Sequence, residues 1–138
     1  MSICRSMSTM RSIKSKATLA KEISADTKQT VLERQGFRSI SGVALGSTAE
    51  FHHVIFRSGS GVGYEWNIVA LTPEEHRLFH DKRDIPVNGR CRYSWIEFDI
   101  LMKNHLKLWY DGWSEEKCKY HKYCEEEDYE VIRRDRKI

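Results

Sequence analysis

The sequence is poor in the residues that staple or stiffen a small protein. Two prolines, Pro73 and Pro86, occur in 138 residues, which excludes a proline-rich linker or polyproline ligand. The four cysteines, at 4, 91, 118 and 124, include no Cys-x-x-Cys pair. That spacing fits neither the common zinc frameworks nor a disulfide-stapled secreted domain, so free thiols in a reducing compartment are expected. His121 lies between Cys118 and Cys124, but no fourth ligand accompanies them and no zinc site is expected there. No apolar run approaches the roughly 18 residues of a membrane-spanning helix. The first twenty residues also lack the continuous apolar stretch of a secretory signal, so secretion is not expected.

Acidic residues are missing from one end. Residues 1–21 carry Arg5, Arg11, Lys14, Lys16 and Lys21 without an acid, whereas Asp111 to Glu130 holds eight acids against three lysines. The chain closes on Arg133, Arg134, Asp135, Arg136 and Lys137, and the net charge is +3. Basic ends suit a polyanion and equally suit a solvated tail. Hydrophobic residues at 40% and charged residues at 31% are an ordinary globular balance, and the length predicts one domain. The expected layout is a basic, flexible segment over 1–24, a folded domain over 25–113, and a charged helix or tail over 114–138.

Local signals fill in that domain. Asp26 and Gln29 read as a capping box that opens a short helix ending at Gly36. Residues 37–49 suggest irregular chain or a short hairpin. A strand is predicted over Phe51–Phe56 and another over Ile68–Leu71, separated by a loop containing Gly59, Gly61 and Gly63. Thr72-Pro73-Glu74-Glu75 then opens a helix, with Thr72 as cap and Pro73 in the first position. The order strand, loop, strand, helix makes a ββα unit. A turn is expected around Pro86 to Gly89. A second capped helix is predicted from Ser94 to about Tyr110, its apolar residues serving as core, and a last acidic helix at Ser114–Lys117. The four tryptophans are read as packing residues.

Six residues carry the chemistry: Glu50, His52, His53, Asn67, His76 and His80. His76 and His80, four apart on a helix, share one face at the spacing that lets two imidazoles grip one ion. His52 and His53 are neighbours on a strand and point to opposite faces. One can therefore ligate while the other faces a cleft, where a neutral imidazole can accept a proton from water. His105 and His121 lie outside this set.

Glu50-Phe51-His52-His53, the glycine-rich loop, Asn67, and His76-Arg77-Leu78-Phe79-His80 resemble the HNH, or ββα-metal, nuclease motif. His53 precedes Asn67 by fourteen residues, Asn67 precedes His76 by nine, and His76 precedes His80 by four. The stretch is similar to the DNase domains of nuclease colicins, and residues 53–71 and 106–116 resemble small HNH endonucleases of phages and prophages. Many phage members carry two Cys-x-x-Cys pairs that hold a structural zinc. Here Ser39 and Ser41 lie in the first region, and Thr72 and Glu75 occupy the second, so the colicin-like form without that zinc is expected.

The resemblance implies an α+β fold with a small ββα-metal core and flanking helices. It implies a divalent-metal-dependent endonuclease, phage or prophage encoded, acting on double-stranded DNA with weak sequence preference in the cytoplasm of a bacterial host. A phage terminase or other protein partner belongs to the same expectation. His52, His76 and His80 would hold one Mg, Mn, Ni or Zn ion, and His53 would deprotonate the attacking water. Asn67 would fix the loop and the His53 strand, Glu50 would accept a hydrogen bond behind the ligands, and Arg57 would contact phosphate. The alternatives are a non-catalytic DNA-binding or inhibitor protein on the same scaffold, and a colicin-like DNase toxin domain.

Overall fold

Two four-residue strands, one of them buried on both sides, set the layout of the fold. The computed structural model describes residues 14–89 and 91–134. In chain order these form α1 (Lys16–Lys21), α2 (Ala25–Arg34), β1 (Glu50–His53), β2 (Ile68–Leu71), α3 (Pro73–His80), β3 (Ile85–Val87), β4 (Cys91–Tyr93), α4 (Trp95–Trp109), β5 (Tyr110–Asp111) and β6 (Ile132–Arg133). The strands pair into three antiparallel two-stranded ribbons, β1 with β2, β3 with β4, and β5 with β6. This is a mixed α+β arrangement. Among the described residues no helix is long and apolar enough to cross a membrane.

All four residues of β2 are fully buried, and its side chains alternate between two apolar clusters as a strand requires. Val69 and Leu71 enter the main core with Phe79, Phe98, Met102 and Leu106, while Ile68 and Ala70 meet Val31 of α2. The edge of β2 away from β1 is covered by side chains of α2 and its cap. Arg34 donates to the Ile68 carbonyl at 2.7 Å, and Gln35 both donates to the Ala70 carbonyl and accepts from its N–H, at 3.0 and 2.9 Å. Unpaired strand groups are thereby satisfied and the edge is closed to another chain.

The same Arg34 guanidinium, 8% exposed, uses the rest of its donors on Glu65 O, Tyr110 Oη, Gln35 Oε1 and His105 Nε2. One buried cation thus ties α2 to β2 and to α4. Burial pulls its pKa down, and the Tyr110 hydroxyl and Glu65 oppose that shift.

Several local expectations hold. Thr72 Oγ1 accepts from Glu75 N at 3.1 Å, and Glu75 Oε1 accepts from Thr72 N at 3.0 Å, with Pro73 opening α3. Ser94 and Glu97 form the corresponding box on α4. An isolated bridge joins Arg38 to Ala44 within the 37–49 stretch.

Other elements differ. The cap of α2 is Ser24, whose Oγ accepts from Thr27 N at 3.1 Å, so Asp26 lies inside the first turn. Serine two residues earlier supplies the same acceptor. β1 ends at His53, because Asn67 draws the chain beyond it into a bend. The proline-containing stretch Ile85–Val87 is a strand paired with Cys91–Tyr93, where only a turn was expected; Pro86 is tolerated on this two-stranded ribbon. On α4, Phe98, Met102 and Leu106 are buried at helical spacing, whereas Ile96, Ile100 and Leu108 are exposed.

The two ends differ most from expectation. Residues 16–21, expected to be flexible with the rest of 1–24, form α1 with Ser15 as cap. Residues 1–13 lie outside the described residues. The acidic stretch after Trp113 makes 3-10 turns at Glu116–Cys118 and Glu126–Tyr129 rather than an α-helix, and it packs into the main core. Cys118 and Tyr129 are buried there at 0% and 3% exposure. Tyr129 Oη accepts from His121 N at 2.9 Å, and β6 returns to pair with β5. Cys91, Cys118 and Cys124 are free thiols.

Because Tyr129 fills core volume, Tyr129→Ala should cost about 3 kcal/mol or more of folding stability. Urea unfolding followed by tryptophan fluorescence measures it. A solvated tail would give no change.

Candidate functional site

The site follows from where the β1–β2 hairpin stops and α3 begins. Thr72 starts α3 immediately after β2, so the helix returns against β1 and its face carrying His76 and His80 meets His52. Strand alternation turns His52 inward, 2% exposed, with its ring edge-on to Phe79 at 5.0 Å and to Phe56 at 5.7 Å. His53 turns the other way and is half-buried.

Three imidazoles converge on one point. His52 Nδ1 is 3.3 Å from His76 Nε2, and His80 Nε2 is 3.0 Å from the same atom. One ring nitrogen from each of His52, His76 and His80 lies within 4.8 Å of the others. Tetrahedral coordination at 2.0–2.1 Å places ligand nitrogens about 3.3 Å apart, close to the two shorter separations.

Burial holds the His52 imidazole well below its ordinary value of 6.5, and the neighbouring His76 and His80 add to the shift. Burial followed by the proximity of His76 also lowers His80. Neutral rings keep lone pairs for a metal. Glu50 Oε1 lies 2.7 Å from His76 Nδ1. A carboxylate there makes Nδ1 the protonated nitrogen and leaves the Nε2 lone pair facing the other two rings. His52 Nε2 is buried without a hydrogen-bond partner, a cost that a better-partnered site would avoid. A nitrogen-only donor set with a carboxylate behind it fits a divalent transition metal.

The cup opens onto a cleft. A depression of about 220 Å³ is lined by His52, His53, His76, His80, Phe56 and Arg57. Beside it runs an open cleft of about 680 Å³, whose lining includes Glu22, Lys28, Glu50, His53, Arg57 and His76. His53 Nε2 lies 2.7 Å from the Lys21 carbonyl oxygen. A carbonyl can only accept, so Nε2 carries the proton and Nδ1 keeps the lone pair. Burial lowers the His53 pKa from 6.5, against the Lys21 carbonyl, and Arg57 lowers it further, so the ring is neutral at pH 7. Arg57 is exposed in the 3-10 turn Arg57–Gly59.

Asn67 touches neither cup nor cleft. Its side chain is fully buried and uses its carbonyl oxygen and both amide hydrogens: Oδ1 accepts from Ile55 N at 2.8 Å, and Nδ2 donates to Ile55 O and Val62 O at 3.0 and 2.7 Å. Its backbone carbonyl accepts from Val54 N at 2.8 Å. The chain leaving β1 is thereby pinned to both ends of the glycine-rich loop.

All seven residues expected at the site are thus assembled, six around the cup and cleft and Asn67 beneath them. Lys28, with its ammonium 5.6 Å from the Phe51 ring centre, also lines the cleft and was not anticipated; nothing in its spacing sets it apart from other surface lysines. Nor was the Lys21 carbonyl, because a backbone oxygen leaves no mark in a sequence. Compared with protein-family models, with curated proteins and with solved structures, the chain gives no match.

Two outcomes follow from this geometry. Titration with Ni²⁺ by calorimetry should show one ion per chain, with Glu50→Gln weakening it about tenfold and His76→Ala weakening it more. Asn67→Ala leaves an N–H and two carbonyls without partners and should cost about 3 kcal/mol or more in urea unfolding.

Proposed function

We propose that this chain is a metal-dependent endonuclease of the HNH type, phage or prophage encoded, that hydrolyses phosphodiester bonds in DNA on a ββα-metal core. One observation carries the reading: three imidazoles face one point, and a fourth imidazole, His53, neutral and with its tautomer set, lines the same cleft. A purely structural metal site has no use for that fourth ring.

His52, His76 and His80 would hold one divalent ion. Bound there, such an ion supplies Lewis acidity toward a phosphate oxygen and offsets the charge that develops during cleavage. Three imidazoles favour nickel or zinc in affinity, while Mg²⁺ or Mn²⁺ can serve turnover. The protein's own groups do the rest. His53 Nδ1 takes a proton from water as the water oxygen bonds to phosphorus. The bond from phosphorus to the 3′ oxygen breaks, and that oxygen takes a proton from solvent. Glu50 orients His76, Asn67 fixes the strand that carries His53, and Arg57 contacts a phosphate oxygen.

Among the described residues no recognition helix lines the cleft, so affinity for double-stranded DNA rests on phosphate contacts and falls steeply with salt. A bacterial cytoplasm, with a terminase or other phage protein as partner, suits such an enzyme. A single site cuts one strand at a time.

Supercoiled plasmid incubated with purified protein and Mg²⁺, Mn²⁺, Ni²⁺ or Zn²⁺ should be nicked, and EDTA should stop it. His53→Ala should lower the rate by about a hundredfold or more while still binding metal. If neither protein cuts in any metal and both bind DNA, the fold serves a non-catalytic binder instead.

A further inference from the structure

The segment before α2 reads in sequence as basic and flexible, and its backbone touches the site at two adjacent points. The Lys21 carbonyl accepts a hydrogen bond from His53 Nε2–H, and the Ala20 carbonyl accepts from Gly63 N at 2.8 Å. Ala20 is buried, and Ile23 packs on the cluster of Val31, Ile68 and Ala70. Glu22 and Ile23 line the same cleft as Arg57 and His76.

Gly63 is what allows this approach. Its φ is not positive, so the requirement is one of space alone: a Cβ there would overlap the Glu22 carbonyl oxygen and lie 2.8 Å from that of Lys21. By contrast, the ion pairs of the segment, Lys14 with Glu22 and Lys16 with Glu125, are exposed and hold it only weakly. Docking therefore depends on the Ala20–Gly63 contact and the burial around it.

We propose that residues Ser15–Ser24 are a positioning strap of the site: seated by Gly63, they fix the His53 ring through the Lys21 carbonyl and form one wall of the substrate cleft. Lys21 acts through its backbone and Gly63 through its lack of a side chain, so both are positioning residues. The role in cleavage rests on the nuclease reading; the hold on the His53 ring does not.

Nitrogen-15 NMR of the full-length chain reads that hold directly. In the wild type, the His53 ring, assigned by its loss in His53→Ala, should show the Nε2–H tautomer, and the Gly63 amide should exchange slowly. Ala20→Asp and Gly63→Ala approach the contact from its two sides. Each should move His53 toward averaged tautomers and lower plasmid nicking about tenfold or more, with Ni²⁺ affinity at His52, His76 and His80 unchanged. Ile100→Ala, exposed on α4 and outside the strap, should change nothing.

A wild-type His53 in the Nδ1–H tautomer overturns the strap, and so does a folded variant that keeps both the wild-type ring signals and the wild-type rate. If one variant fails to fold, the other and the wild-type tautomer decide. A wild type that cuts no plasmid defeats the nuclease reading, and the ring signals still judge the strap.

Discussion

The side chain of Asn67 carries the constraint on which the rest depends. β1 is only four residues long, and beyond it the chain must turn into the glycine-rich loop without ladder partners. An amide offers two donors and an acceptor in one plane, and here it takes Ile55 N, Ile55 O and Val62 O together. Aspartate would set acceptor against acceptor at both carbonyls, and an aliphatic residue would leave buried polar groups unmet. Because His53 is the last residue of β1, whatever fixes the bend also fixes its backbone. The site is then positioned on a hairpin rather than on a free loop.

Burial of His52 does a second job in the same space. Withdrawn from water and set against Phe79 and Phe56, it stays neutral, as does His80 close to His76. Neutral His52 and His80 rings can approach His76 Nε2 to 3.3 and 3.0 Å where imidazolium ions would repel one another. Glu50 settles which His76 nitrogen faces inward. The cost is a buried nitrogen on His52 without a partner, the kind of local deficit that function rather than stability retains.

The residues that were legible in sequence are those whose partners are close along the chain. Thr72, Pro73 and Glu75 announce α3 because a capping box is complete within four residues, and His76 with His80 follows from helical period alone. Ile68–Leu71 is readable as a strand because a two-side-buried strand is a continuous apolar run. What was missed depends on partners far away. Pro86 argues against a strand until Arg92 is placed opposite it. Residues 114–138 read as a charged helix or tail, and only the core around Trp66 and Cys118 gives Tyr129 its place. On α4, apolar composition could not tell the Phe98–Met102–Leu106 face from exposed Ile96 and Ile100, since both recur at helical spacing.

Ser39, Ser41, Thr72 and Glu75 close this part of the domain without cysteine pairs. Ser39 Oγ lies 2.8 Å from Ser41 Oγ and donates to Glu75 Oε2 at 3.0 Å, while Glu75 Oε1 accepts from Thr72 N. Ser39, Ser41 and Glu75 are all buried, so a carboxylate at the start of α3 ties the loop over 38–44 to the helix that carries two of the three converging histidines. Both carboxylate oxygens have donors, which is what allows an acid to remain in that position. The link is weaker than four metal–sulfur bonds, and the structure spreads the load: residues 118–120 grip the glycine-rich loop through Val62 N to Cys118 O and Tyr120 N to Ser60 O, and α1 grips it through Gly63. Segments near both ends of the described chain thus brace one glycine-rich loop, where composition suggested a flexible basic segment and a charged helix or tail.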